Sequence, residues 1–211
     1  MRTKIKICGL KSLTDCDYVI ENNVEYAGMV LFFEKSHRNL EIQKAEEMLK
    51  YIKEKSLGKI KVVAVTVSPT TMQLKKIEDA GFDFIQIHGE LDKEVIENAK
   101  IKIIRAFNVK NMDEWKEYIE NDKVEAFLFD SAKPGSGKVF DWNEMSDIKK
   151  EIKSKCKKTF FLAGGIDVNN AKEAIKALEP DILDVSTGVE LMDKSGKDKE
   201  KIKKFVEVVR S

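Results

Sequence analysis

Short β-branched or aromatic runs alternate with longer, charged and amphipathic segments from one end of the chain to the other, and this rhythm constrains the fold more than anything else. The strand candidates are IKICG, YAGMVLF, KVVAVTV, FDFIQIH, IKIIRAF, AFLFD, TFFLAGG and DILDVS, eight in all. Helix candidates lie near 13–22, 41–55, 69–80, 92–99, 112–120, 142–155, 168–178 and 198–209. Several carry start signals: Ser12, Ser68-Pro69 and Asp167 each stand before a periodic segment. Repeated strand-then-helix units build a parallel sheet. Eight such units in 211 residues match a compact (β/α)8 TIM barrel, whereas a doubly wound open sheet rarely needs eight strands at this length. No proline- or serine-rich linker interrupts the series, so residues 1–211 are expected to form a single domain.

In such a barrel the loops after the strand carboxyl ends build the active site. The chemically distinctive residues gather there: Cys8-Gly9, Arg38, Gln86, His88-Gly89, Asp130, Gly164-Gly165 and the run from Asp184 to Gly188. Residues two apart in a strand share a face. Ile5 and Ile7 therefore point to the helices, and Lys6 and Cys8 point into the barrel. The same count sends Phe127 and Phe129 outward and Leu128 and Asp130 inward, and it sets Gln86 with His88, and Asp184 with Ser186, on inner faces.

Composition narrows the partners. Lysine plus arginine (38) nearly cancel aspartate plus glutamate (37), which argues against the one-sided basic footprint of a nucleic-acid binder and for a small-molecule partner. The longest apolar run, YAGMVLFF, is far short of the ~20 residues of a membrane helix. The amino terminus lacks the pattern of a secretory leader, so a cytoplasmic protein, monomer or homodimer, is expected. Three cysteines without CxxC spacing and two histidines indicate neither a disulfide framework nor a metal site.

Each distinctive residue has an ordinary alternative. A free cysteine is usually a small core hydrophobe, the reading kept for Cys16 and Cys156. Cys8 ends a strand at the rim, where Lys6 or a helix amino terminus would favour its thiolate, so a strand end and a reactive thiol both stand. Asp130 closes an apolar strand. It fits a helix cap, an ion pair with Lys133 or Lys6, or a general acid whose pKa partial desolvation raises. Gly164 and Gly165 lie between a strand and a helix start, and DVSTGVE repeats the arrangement one strand later. Glycine loops after strands seven and eight are the usual phosphate site of this barrel class. AKPGSGKVF only mimics a P-loop, because Ala132 replaces its first glycine and Val139 follows its lysine; it reads as a mobile loop over the barrel mouth. His88 alone would more often be a structural histidine than a ligand.

Taken in order, KICGL (6–10), FFEKSHR (32–38), IQIHG (85–89), FLFDS (127–131) with GSGKVFDW (135–142), FLAGGIDVNNAKEAI (161–175), and DVSTGVE (184–190) with SGKDKEKI (195–202) resemble the phosphoribosylanthranilate isomerases of tryptophan biosynthesis. The resemblance implies an Amadori rearrangement of a phosphosugar, an aminoaldose becoming an aminoketose, with no cofactor, redox change or metal. By position it implies that Cys8 is the general base and Asp130 the general acid. Arg38 corresponds to the residue holding the anthranilate carboxylate, and Gln86, His88 and Asp184 to polar substrate contacts. Gly164, Gly165, Ser186, Thr187 and Gly188 correspond to the phosphate loops. Cys8 separates this reading from the sister isomerase of histidine biosynthesis, which has aspartate there. A noncatalytic phosphate-binding barrel leaves the pairing of Cys8 with Asp130 unexplained. The chain departs from the family at Glu34 and His37, where proline is common, at PGSG (134–137), and mildly at Ile87 and Thr187. The loop carrying Arg38 is therefore expected to be set differently.

Overall fold

A computed structural model describes residues 2–108, 112–130 and 142–211, with the backbone alone for 142–144. Its elements run β1 (Lys4–Cys8), α1 (Leu13–Glu21), β2 (Tyr26–Leu31), β3 (Asn39–Leu40), α2 (Ile42–Lys55), β4 (Lys61–Val67), α3 (Thr71–Ala80), β5 (Phe84–His88), α4 (Lys93–Asn98), β6 (Lys102–Asn108), β7 (Val124–Asp130), α5 (Trp142–Lys155), β8 (Thr159–Ala163), α6 (Ala171–Leu178), β9 (Ile182–Val185) and α7 (Lys199–Arg210), with 3₁₀ helices at Met112–Tyr118 and Thr187–Val189. Around the sheet the order is β1-β9-β8-β7-β6-β5-β4-β2, every pairing parallel. β1 also pairs with β2, which closes the sheet into a barrel of eight strands. β3 is a two-residue addition to the end of β2.

The alternation read from the sequence sorts the apolar side chains into two cores. Ile5, Ile7, Phe127 and Phe129 pack outward against the helices, together with Cys16, while Cys8, Val63, Ile104, Leu128 and Phe161 fill the barrel. Phe161 and Phe84 lie 5.6 and 6.1 Å from the Tyr26 ring, giving the interior an aromatic cluster away from the mouth. Each helix presents one apolar stripe to the strands, as α2 does with Ala45, Met48, Leu49 and Ile52.

Three helix expectations are corrected. The segment near 112–120 is a 3₁₀ rather than an α-helix, because its apolar residues Met112, Trp115 and Tyr118 recur every three positions and eclipse along one face. The helix after β8 starts at Ala171, not 168: Asp167 Oδ1 accepts from the N–H groups of Asn169 and Asn170, and this turn delays the helix. The helix after β4 starts at Thr71, where Thr70 and Gln73 form a reciprocal capping box. The proposed mobile loop, with Lys133, Pro134 and most of GSGKVFDW, lies outside the described residues.

Candidate active site

β1 aims Lys6 and Cys8 into the barrel. Lys6 is fully buried, and its Nζ donates to Asp184 Oδ2 at 2.7 Å. Parallel register makes Lys6 and Asp184 direct neighbours on β1 and β9, so the pair is built by strand alignment alone. Gly28 on β2 gives the space. A Cβ there would lie 3.0 Å from Cys8 Sγ and 3.2 Å from Lys6 Nζ. Burial works against the Lys6 ammonium, but Asp184 and Cys8 outweigh it and hold the lysine above its usual range.

Cys8 does not rest as the thiolate that the sequence reading favours. Only 9% of it is exposed, and burial pushes its thiol up, while Lys6 and Lys197 pull the other way without prevailing. The resting group is a thiol with two ammonium groups nearby.

Asp130 ends β7, three strands around from β1, and is partly exposed at the mouth. His88 and Gln86 occupy the inner face of β5. Gln86 Nε2 donates to His88 Nε2 at 2.7 Å, which sets the neutral ring with its proton on Nδ1. Enclosure pushes His88 down to about 4, with Asp130 opposing and Lys6 and Arg105 adding to the effect, so the ring is neutral at pH 7. Gln86 Oε1 and Asp184 Oδ1 are buried acceptors without a partner among the described residues. Both residues line the cleft, where a bound hydroxyl would satisfy them.

Arg38 reaches the mouth after β2, passing over Gly9, where any Cβ would run into its side chain. Its Nε and Nη2 donate to Glu190 Oε1 and Oε2 at 2.5 and 2.8 Å, and Nη2 donates also to Thr187 Oγ1 at 3.0 Å. Buried Lys197 donates to Glu190 Oε1 at 3.2 Å and to the Ser186 carbonyl at 3.1 Å. Burial opposes the charge of Glu190, yet Arg38 and Lys197 overcome it and hold the carboxyl down at about 2. Ser186 Oγ in turn donates to the Cys8 carbonyl at 3.0 Å, tying this network to the end of β1.

The two glycine loops meet at this side of the cleft. Gly188 packs so closely on the Ile166 carbonyl that a Cβ would collide with it, whereas Gly165, with φ +63°, faces open space. After β8 the α-helix begins at Ala171, past the cleft-lining stretch that ends at Asp167. Instead the 3₁₀ turn Thr187–Val189 opens here, and the first N–H groups of a helix have no partner within it.

All eleven residues to which the resemblance gives a role, Cys8, Arg38, Gln86, His88, Asp130, Gly164, Gly165, Asp184, Ser186, Thr187 and Gly188, line one cleft of about 570 Å³, whereas Gly9 and Gly89 do not line it. That volume lies within the usual range for a small-molecule site. Glu190, Lys197 and the pairing of Lys6 with Asp184 were missed. Their signal was faint: Glu190 and Lys197 belong to the DVSTGVE and SGKDKEKI pieces, and Lys6 is a charge on an inward strand position.

Residues 5–208 match the family model described as N-(5'phosphoribosyl)anthranilate (PRA) isomerase. The chain is 36% identical, over 99% of both lengths, to an N-(5'-phosphoribosyl)anthranilate isomerase of Streptococcus mutans. Among solved structures it is similar to the phosphoribosyl anthranilate isomerase of Thermotoga maritima, with 27% identity, a TM-score of 0.82 and coverage of 99% and 98%. It is also similar, with 25% identity, a TM-score of 0.80 and coverage of 99% and 98%, to such an isomerase solved in complex with reduced 1-(o-carboxyphenylamino)-1-deoxyribulose 5-phosphate.

Proposed function

The chain belongs to the N-(5'-phosphoribosyl)anthranilate isomerase family, and we propose that it performs the family's rearrangement with Cys8 as general base and Asp130 as general acid. It is an isomerase of tryptophan biosynthesis that turns N-(5'-phosphoribosyl)anthranilate into 1-(2-carboxyphenylamino)-1-deoxyribulose 5-phosphate.

The carrying observation is the placement of a thiol and a carboxyl on separate strands facing one cleft, with glycine loops on one flank. Asp130 gives a proton to the ring oxygen, the C1'–O bond breaks with its electrons going to that oxygen, and the lone pair of the anthranilate nitrogen on C1' forms the C1'=N iminium. The Cys8 thiol first releases its proton to water, and the thiolate so formed removes the C2' proton. The C–H electrons neutralise the iminium, and the resulting enolamine tautomerises to the ketone. Two proton-transfer groups at different atoms of one sugar must stand apart, which β1 and β7 arrange. Lys6 supplies the charge that makes the transient thiolate tolerable. Gly164, Gly165, Ser186, Thr187 and Gly188 receive the phosphate, Arg38 the anthranilate carboxylate, and Asp184, Gln86 and His88 the sugar hydroxyls.

Residues 1–211 act as one domain, since the barrel needs both its first and last strands. The protein works in the cytoplasm as a monomer or homodimer; among the described residues no helix is long and apolar enough to cross a membrane. Purified protein is tested on freshly made N-(5'-phosphoribosyl)anthranilate beside Cys8→Ala and Asp130→Asn. Each variant is expected to lose about 10²-fold or more in turnover. Turnover close to wild type in either would remove that residue from its role.

A further inference from the structure

We propose that Glu190 is a positioning residue for substrate recognition: its carboxylate grips the Nε–Nη2 edge of Arg38 and so leaves Nη1 as the donor presented to the substrate's ring carboxylate. This rests on the assignment of Arg38 made above.

A guanidinium has five N–H donors in a rigid fork. In this structure the Nε hydrogen goes to Glu190 Oε1, and the two Nη2 hydrogens go to Glu190 Oε2 and Thr187 Oγ1. Both Nη1 hydrogens remain without a protein partner among the described residues, on a side chain that lines the cleft. A free arginine on a surface loop would sample many rotamers, and fixing it on binding costs entropy. Here the cost is met before the ligand arrives. Glu190 is itself immobilised: it is 4% exposed, Lys197 donates to it at 3.2 Å, and Lys197 is anchored on the Ser186 carbonyl. Because Thr187 shares Nη2, the carboxylate-binding end is locked to the loop assigned to phosphate.

The opposing effect is charge. Glu190 partly neutralises Arg38 and Lys197, so if through-space attraction dominated, removing its charge would strengthen anion binding. Orientation and charge thus predict opposite signs, and one measurement separates them. Reduced 1-(o-carboxyphenylamino)-1-deoxyribulose 5-phosphate and the same compound without the carboxylate are titrated calorimetrically into wild type, Arg38→Met, Glu190→Gln and Glu190→Asp. Glu190→Gln keeps the shape but loses the double acceptor; Glu190→Asp keeps the charge but shortens the reach. Both are expected to weaken the carboxylated ligand about tenfold and to leave the other within about twofold of wild type. In turnover, KM for the substrate rises with little change in kcat.

Tighter binding of the carboxylated ligand by Glu190→Gln would overturn the proposal in favour of charge competition. Equal weakening of both ligands would reduce Glu190 to a general support of the loops, and so would an unchanged Glu190→Asp. If Arg38→Met weakens both ligands equally, the assignment of Arg38 itself falls. If only Arg38→Met discriminates, the assignment stands and the role of Glu190 alone is lost.

Discussion

Replacing Lys6 by methionine should raise the pKa of the Cys8 thiol and slow turnover at neutral pH. Cys8 Sγ and Lys6 Nζ lie 3.0 and 3.2 Å from one point above Gly28, so they are within about 6 Å of each other. At an effective dielectric of about 20, a unit charge at that range is worth about 3 kcal/mol, or about two pKa units. Asp184, 2.7 Å from Nζ, cancels part of that field. Once the ammonium is gone, Asp184 either takes up a proton, leaving the net loss of the pair's field, or stays charged and raises the thiol further. The expected increase is therefore about one to two units in either case.

The assay is iodoacetamide alkylation followed by mass spectrometry across the neutral to alkaline range, in a Cys156→Ser background. Cys16 stays silent, because it is buried and desolvation pushes it up to about 12. The Cys8 alkylation midpoint should move up in Lys6→Met, and kcat/KM near neutrality should fall about 10- to 100-fold, in step with the thiolate fraction. Part of the activity should return as the pH is raised. An alkylation midpoint equal to wild type within a few tenths of a unit would refute the electrostatic role of Lys6, whatever happens to the rate.

Three further outcomes follow from the same geometry. Gly28→Ala places a methyl 3.0 Å from Cys8 Sγ and 3.2 Å from Lys6 Nζ; it should cost about 1–3 kcal/mol of stability by urea unfolding and lower kcat more than KM, and a normal kcat would show that the cluster tolerates displacement. The Glu190 carboxyl stands at about 2 in the fold against an ordinary 4.5, so its contribution, on the order of 3 kcal/mol, is complete above about 4.5 and is lost as the pH falls toward 2. Urea unfolding of wild type and Glu190→Gln should accordingly converge on acidification, and parallel curves would contradict the assigned ion pairs. Finally, Lys6→Met combined with Asp184→Leu should unfold at a urea concentration no lower than wild type while turning over substrate poorly, whereas Lys6→Met alone should be destabilised by about 3–5 kcal/mol.

The barrel and most of its mouth were legible because both depend on short-range pattern. Period-two alternation placed Ile5, Ile7, Phe127 and Phe129 outside and Cys8 and Leu128 inside, and the strand carboxyl ends then collected the distinctive residues. What escaped depends on contacts between residues far apart in the chain. Arg38 meets Glu190 across 152 positions, and Lys6 meets Asp184 across 178; no local pattern encodes either pairing. The resting protonation of Cys8 was not legible for a related reason. Lysine at position 6 is visible in the sequence, but the balance between its charge and the desolvation of the sulfur exists only in the closed barrel. The late start of α6 shows a third limit: Asp167 was legible as a start signal, yet its carboxylate organises a turn of its own before the helix begins.

A lysine and an aspartate facing each other in a barrel interior are poorly explained by stability. Bringing two charges out of water costs several kcal/mol each, and well-packed apolar replacements of a buried pair are often neutral or stabilising. Apart from the uncharged polar Gln86 and His88 on β5, inward positions such as Val63, Ile104, Ala126, Leu128 and Phe161 are apolar. Lys6 sits two residues from the sulfur, on the same face of β1. A thiol in an otherwise apolar layer would be inert as a base, and an unpaired lysine beside it would not stay charged in the interior. Asp184 keeps Lys6 protonated, Lys6 in turn moderates the penalty on a Cys8 anion, and Asp184 Oδ1 is left as a buried acceptor without a partner among the described residues. The pair is thus the smallest arrangement that places a permanent positive charge next to Cys8 without leaving that charge uncompensated before substrate binds.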